Sequence, residues 1–211
     1  MDEGSEASMK AVIGMEDLAA HPEYLSIADI DGVRLDLRYA CANNFVGRNL
    51  YGEAAPALLH RRAAEGLTMA ARELRRLRPG FHLLVFDALR PGRVQRVLWD
   101  IVKDTPQRIY VADPARGSIH SFGMAVDLSV EDADGGELDM GTGFDDFTER
   151  AQPQREAELL RTGRLSEAQV ANRQLLRHCM SQAGFNGIAT EWWHFEAADR
   201  DWVRAHMLLI E

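Results

Sequence analysis

Cysteine is scarce in this chain: 211 residues hold only Cys41 and Cys179, which could pair once and form no C-x-x-C motif. A disulfide-built scaffold is excluded, and both thiols read as reduced packing residues. Long apolar runs are missing as well. No stretch approaches the roughly 20 consecutive apolar residues that cross a bilayer, so no membrane span is expected. Basic charge is in deficit, with 24 Lys and Arg against 33 Asp and Glu and a formal net charge of -9. Such a balance gives no electrostatic footprint for a phosphate backbone or an anionic membrane, which leaves a small-molecule partner. The segment Met1 to Met15 carries Asp2, Glu3 and Glu6 without a basic start or an apolar stretch, so no export signal is visible and cytoplasmic residence is expected. Repeats, low-complexity tracts and Ser/Gly/Pro-rich linkers are also absent. The expectation is one domain over 1–211, with 1–24 as a loosely ordered extension.

What is present is an ordinary globular composition, 46% hydrophobic and 27% charged, at a length that buries a substantial core. Gly32 to Ala40 alternates Val33, Leu35, Leu37 and Tyr39 against Arg34, Asp36 and Arg38, the period of a half-buried strand. The region 54–77 has helical spacing and stops at Pro79-Gly80. Phe81 to Phe86 reads as a strand buried on both faces that delivers Asp87, Arg90 and Pro91 beyond its end. Arg93 to Val102 returns to helical spacing. Met124 to Val130 is the clearest strand, followed by an acidic Gly135-Gly136 turn and a hairpin return through Leu138. Ser166 with Gln169 forms a capping-box pattern that opens a helix running to Gly184, and Glu191 to Phe195 is a last strand or turn. Interspersed helices and strands with a hairpin among them favour an α+β fold, with a mixed or antiparallel central sheet and flanking helices.

Two short segments carry candidate chemistry. In Ser118 to Asp127, His120 precedes the strand, Gly123 permits a sharp turn, and Asp127 lies on the face shared with Ala125 and Ser129. A buried carboxylate there needs a partner, and a metal would satisfy it. Glu191-Trp192-Trp193-His194 is the second segment. Residues three apart in a regular strand face opposite ways, so Glu191 and His194 share a site only if a turn or bulge intervenes. Taken singly, His120 also fits a hydrogen-bonded loop histidine, Asp127 a structural carboxylate, and the two tryptophans core. His21, His60, His82, His178 and His206 have no ligand-like neighbours.

The pattern S-x-H-x-x-G-x-A-x-D followed by E-x-W-H resembles the zinc D-alanyl-D-alanine dipeptidases of the vancomycin-resistance type, within the D,D-peptidases of hedgehog-like fold. Further segments are similar in the same order: Asp36 to Ala40, Asn44 to Gly47, Asp87 to Pro91, and Met140 to Asp145. The resemblance implies one zinc ion held by His120, Asp127 and His194, with Glu191 as general base and later general acid. It implies Arg90 as the group that stabilises the oxyanion, and Tyr39, Ser118 and Asp145 as holders of the free ammonium of a small D,D-dipeptide. The chain departs from the pattern at Leu89, where a Tyr is expected, and at Ile119, where a small polar residue is expected. Both could alter the pocket. The expected activity is hydrolysis of D-Ala-D-Ala or a related D,D-dipeptide, in cell-wall precursor removal or D-alanine scavenging. The alternatives are a D,D-carboxypeptidase or other peptidoglycan-fragment peptidase, and a hedgehog-like zinc-containing binding module without activity.

Overall fold

A computed structural model describes residues 12–18, 20–52 and 55–211. In chain order its strands are β1 (Val12–Ile13), β2 (Tyr24–Ser26), β3 (Val33–Leu35), β4 (Leu58–His60), β5 (His82–Asp87), β6 (Ala125–Glu131), β7 (Asn186–Gly187), β8 (His194–Glu196) and β9 (Leu209–Ile210). The α-helices are α1 (Met15–Leu18), α2 (Arg61–Leu77), α3 (Gly92–Val102), α4 (Glu156–Arg161), α5 (Glu167–Gln182) and α6 (Arg200–His206). The central sheet has the order β3-β5-β6-β8-β7. Only the β3/β5 pair is parallel; the others are antiparallel, so the sheet is mixed as the sequence pattern predicts. No helix among the described residues is long and apolar enough to cross a membrane.

Apolar burial explains this arrangement. The inward face of α2 is built from small residues, Ala63, Ala64, Gly66, Ala70 and Ala71, with Leu67 and Leu74 between them. That face lets α5 and the sheet approach closely. A Cβ on Gly66 would stand 2.8 Å from the Phe185 ring. On the opposite side of this contact, α5 starts at the expected capping box, in which Ser166 and Gln169 each satisfy the other's backbone N–H. Strands β5 and β6 are buried almost throughout, and Val126, Leu128 and Val130 join Leu83, Val85 and Leu176 in the main core.

Several elements differ from the sequence pattern. The first predicted strand ends at Leu35. Asp36 still donates its N–H to the Val85 carbonyl, but Arg38–Ala40 forms a 3-10 turn whose Tyr39 carbonyl accepts from Leu50 and Tyr51. Helix α2 starts at Arg61, because Leu58–His60 is drawn into antiparallel pairing with β2; position 54 lies outside the described residues. The acidic turn closes as expected, Asp132 accepting from Asp134 and Gly136, but its return arm makes only one bridge, Glu131 to Glu137. Of the extension over 1–24, residues 1–11 lie outside the described residues. Residue 19 lies outside them too; in the described part, β1 pairs in parallel with β9, and Leu18 is buried with Tyr24, Leu89 and Ile210. Cys179 is buried as expected, whereas Cys41 is exposed in a loop.

Candidate metal centre and its cleft

Sheet register assembles the centre. A shift in the β5/β6 pairing between Val85 and Asp87 sets Asp87 opposite Asp127, and in the next pair Asp127 lies opposite His194. Three polar residues therefore stand in a row across β5, β6 and β8. His120 comes from the 3-10 turn Ile119–Phe122, which ends at Gly123 with φ +65°. A Cβ at Gly123 would lie 2.9 Å from the His60 backbone nitrogen, so glycine is required there for conformation and for space.

The three donor atoms face one another. His120 Nε2 lies 3.2 Å from His194 Nδ1 and 3.3 Å from Asp127 Oδ1, and His194 Nδ1 lies 3.0 Å from the same oxygen. All three residues are buried. A tetrahedral ion with bonds of about 2.0–2.1 Å has donor-to-donor edges of roughly 3.3 Å, so the set fits a small divalent cation. The remaining ring nitrogens are committed to positioning. His120 Nδ1 bonds the Ala88 carbonyl at 2.7 Å, and His194 Nε2 bonds Glu196 Oε1 at 2.9 Å. Such partners fix the tautomer and aim the free nitrogen. Burial opposes charge on His194, but its bonds to Asp127 and Glu196 prevail and hold the ring up at about 10. Burial also opposes charge on Asp127, yet the two imidazoles keep it well below the usual carboxylate range. A cation would replace the proton shared among these groups.

Glu191 lies before β8, and the bend that the spacing argument required falls at Trp192 and Trp193, leaving Glu191 Oε2 4.0 Å from His194 Nδ1. Burial pushes its carboxyl up to about 8, opposed by His194 and reinforced by Asp127 and Asp145. Trp192 and Trp193 pack edge to face beside it, buried, and Trp192 Nε1 donates to Thr142. Arg90, 8% exposed, is held on three sides: Nε by Asp87 at 2.8 Å, Nη1 by Gln95 at 3.1 Å and Nη2 by Asp127 Oδ2 at 3.1 Å. Tyr51 donates to the other oxygen of Asp87. The carboxylate of Asp127 thus faces the histidines with one oxygen and Arg90 with the other.

All eight residues singled out from the sequence line one cleft of about 690 Å³: Tyr39, Arg90, Ser118, His120, Asp127, Asp145, Glu191 and His194. Asp145 accepts from Tyr39 Oη at 3.1 Å and from the Phe45 backbone N–H at 3.4 Å, and adopts φ +60°. Burial raises it to about 7, against the pull of Arg90. None of His21, His60, His82, His178 and His206 lines this cleft. Of the two departures, Leu89 does not reach it, being packed against Leu18, Tyr24 and Ile210, while Ile119 does. Sequence reasoning missed Glu196 and Gln95. An H-x-E spacing on a strand puts both side chains on one face and could have exposed Glu196; Gln95 carries no such signal.

Three donors, which leave a tetrahedral ion one further position, a carboxylate close by but outside the set, and an arginine fixed against it are the equipment of amide hydrolysis. Fold and site together define a metallopeptidase. The family model described as D-ala-D-ala dipeptidase, of the M15 peptidases, matches residues 23–210. The chain is 40% identical over 164 residues to a D-alanyl-D-alanine dipeptidase of Escherichia coli (strain K12), covering 78% of each chain. It is 28% identical to one from Enterococcus faecium, covering 84% of this chain and 92% of the relative, and 30% identical to one from Streptomyces coelicolor, covering 79% and 86%. The chain belongs to the D-ala-D-ala dipeptidase family of M15 peptidases.

Proposed function

We propose that the chain is a zinc-dependent dipeptidase that hydrolyses D-Ala-D-Ala or a closely related D,D-dipeptide. The observation that carries this reading is the triangle of His120 Nε2, Asp127 Oδ1 and His194 Nδ1, with edges of 3.0–3.3 Å, facing Glu191 in one cleft. Two imidazoles and one carboxylate suit zinc and leave a coordination position for reaction. Bound there, zinc supplies Lewis acidity and makes water a nucleophile near neutral pH. Glu191, not itself needed as a ligand, takes the proton of the attacking water and returns it to the leaving amine; its raised pKa suits it to both transfers. Arg90 places fixed positive charge where the carbonyl oxygen becomes negative, and its three anchors mean that little reorganisation is needed. Asp145 and Tyr39, bonded to each other, hold the substrate ammonium, with Ser118 of the same cleft as a third contact. Among the described residues no cation is paired with Asp145, which keeps its carboxylate available for that role.

The test is D-alanine release from D-Ala-D-Ala and from its N-acetyl derivative, after removal of metal by chelator and reconstitution with zinc. Zinc-dependent cleavage of the free dipeptide alone is expected. Faster cleavage of the acylated substrate would make the chain a carboxypeptidase, and zinc binding without turnover of either would make it a binding module. Glu191→Gln should keep its zinc and lose about 10²- to 10⁴-fold in kcat; full activity in that variant would sink the mechanism.

A further inference from the structure

Among the described residues no hydrogen bond holds the Glu191 carboxyl; His194 Nδ1 stands 4.0 Å from its Oε2. A base that must stay within reach of a reacting water is then placed by its backbone and its neighbours. That backbone is tied through Trp192. The Trp192 N–H, which shares a rigid peptide plane with the Glu191 carbonyl, donates to the Ala151 carbonyl at 3.1 Å. Trp192 Nε1 donates to Thr142 Oγ1 at 2.8 Å. Both anchors, Thr142 and Ala151, belong to the long connection from β6 to α4. Beside each of them the chain meets one side chain of α5. Arg173 donates from Nε to the Met140 carbonyl at 2.7 Å and from Nη2 to the Arg150 carbonyl at 2.9 Å. Arg150 Nη2 closes the connection further, on the Gly141 carbonyl at 2.8 Å.

Arg173 is an unexpected residue in that place. It is 1% exposed and shares the buried face of α5 with Val170, Leu176 and Met180. Burial works against its charge, and its ion pair gives little in return. Glu156 Oε1 is 3.6 Å from Nη1, a nitrogen without a hydrogen bond among the described residues, while Arg177 binds the same carboxylate at 2.7 and 3.3 Å. An apolar side chain would fill that row without the cost of burying a charge. What the guanidinium adds is a rigid fork that spans two carbonyls, with its centre 5.8 Å from that of the Trp192 ring. Neither Arg173, Thr142 nor Trp192 lines the cleft, so their influence on it passes through other residues. We propose that Arg173 is a positioning residue for the general base: it clasps Met140 and Arg150, these set Thr142 and Ala151, and the two anchors fix Trp192 and with it Glu191. This rests on the reading of Glu191 as the base. Asp145 lies in the same connection but has bonds of its own, to Tyr39 and to the Phe45 N–H, so the effect belongs to proton transfer and not to substrate binding.

The experiment measures kcat and KM for D-Ala-D-Ala, and zinc affinity by competition with a chelating dye, in Arg173→Lys and Thr142→Val, each alone and combined with Glu191→Gln. Lysine keeps the charge but lacks the fork, and valine keeps the branching of threonine without its acceptor. Displacement of the base by about 1 Å should lower kcat about 10- to 100-fold in Arg173→Lys and at least about threefold in Thr142→Val. KM and zinc affinity should stay within about twofold, since the lost interaction serves the transition state alone. In the Glu191→Gln background both losses should vanish, because a residue that acts through the base has nothing left to place. An unchanged kcat, a loss of equal size with and without Glu191, or a loss in KM or zinc binding in place of kcat would mark a merely structural arginine and overturn the proposal. If Arg173→Lys does not fold, Thr142→Val decides by the same cycle. Wild type that cleaves no dipeptide, or a fully active Glu191→Gln, would defeat the reading of Glu191 and this proposal with it; an impaired Glu191→Gln with additive losses overturns this proposal alone.

Discussion

A carboxylate that is to hold an ammonium must be ionised, and Asp145 is poised at about 7 by burial. The sign follows directly: below that pH the group is protonated and binds poorly, above it the anion is present. For a free dipeptide, kcat/KM should climb with pH through two ionisations, Asp145 near 7 and Glu191 near 8, and Asp145→Asn should lose the lower one together with most of the affinity. A limb near 7 that survives the substitution would remove Asp145 from substrate binding. Glu196 acts through another residue, bonding His194 Nε2 while Arg200 braces it. Burial alone would raise its pKa, but those two bonds hold it down at about 2, so it stays an acceptor across the working range. Glu196→Gln should weaken metal affinity by about 10- to 100-fold, measured by competition with a chelating dye, while activity at saturating metal is largely kept. At this scale His120, Asp127, Glu191 and His194 were legible because they lie in two short patterned segments. Gln95 was not, since a buried amide on a helix gains its meaning only from what the tertiary fold sets beside it.

Among elements, the turn over Ile119–Phe122 and helix α5 offer a contrast. Gly123→Ala would force a side chain into a left-handed backbone position 2.9 Å from the His60 nitrogen, and should cost at least about 1 kcal/mol while shifting His120. Ser166→Ala removes half of a capping box distant from the donors and should cost about 1 kcal/mol with metal affinity intact. Denaturant unfolding beside metal titration separates the two; equal effects on metal binding would contradict the assignment of the turn to the centre. The long periodic elements α2, β5, β6 and α5 were readable from the sequence because their apolar spacing and caps are local. Strands β2, β4 and β9 are too short to carry a period, and they exist because another segment offers a partner. For the same reason the alternation after Gly32 overran the true strand: Leu37 and Tyr39 keep the period while their backbone bonds go elsewhere.

For the whole molecule, the ion and the fold are coupled. A ligand that binds only the folded state stabilises it by about 4 kcal/mol at a thousand times its dissociation constant. For a chain of this size that corresponds to roughly 8–16 °C in Tm. Chelation should lower the melting midpoint accordingly and restored zinc should return it; an unchanged midpoint would argue that the donors hold no ion. His120 and Asp127 are neighbours in the chain, but His194 follows Asp127 by 67 residues and meets it only when β8 docks on β6. The long intervening loop must close before the third donor arrives. The ion is therefore a latch fastened after the door has shut: it lengthens the lifetime of the folded chain, while the time needed to reach that state is set by the polypeptide alone.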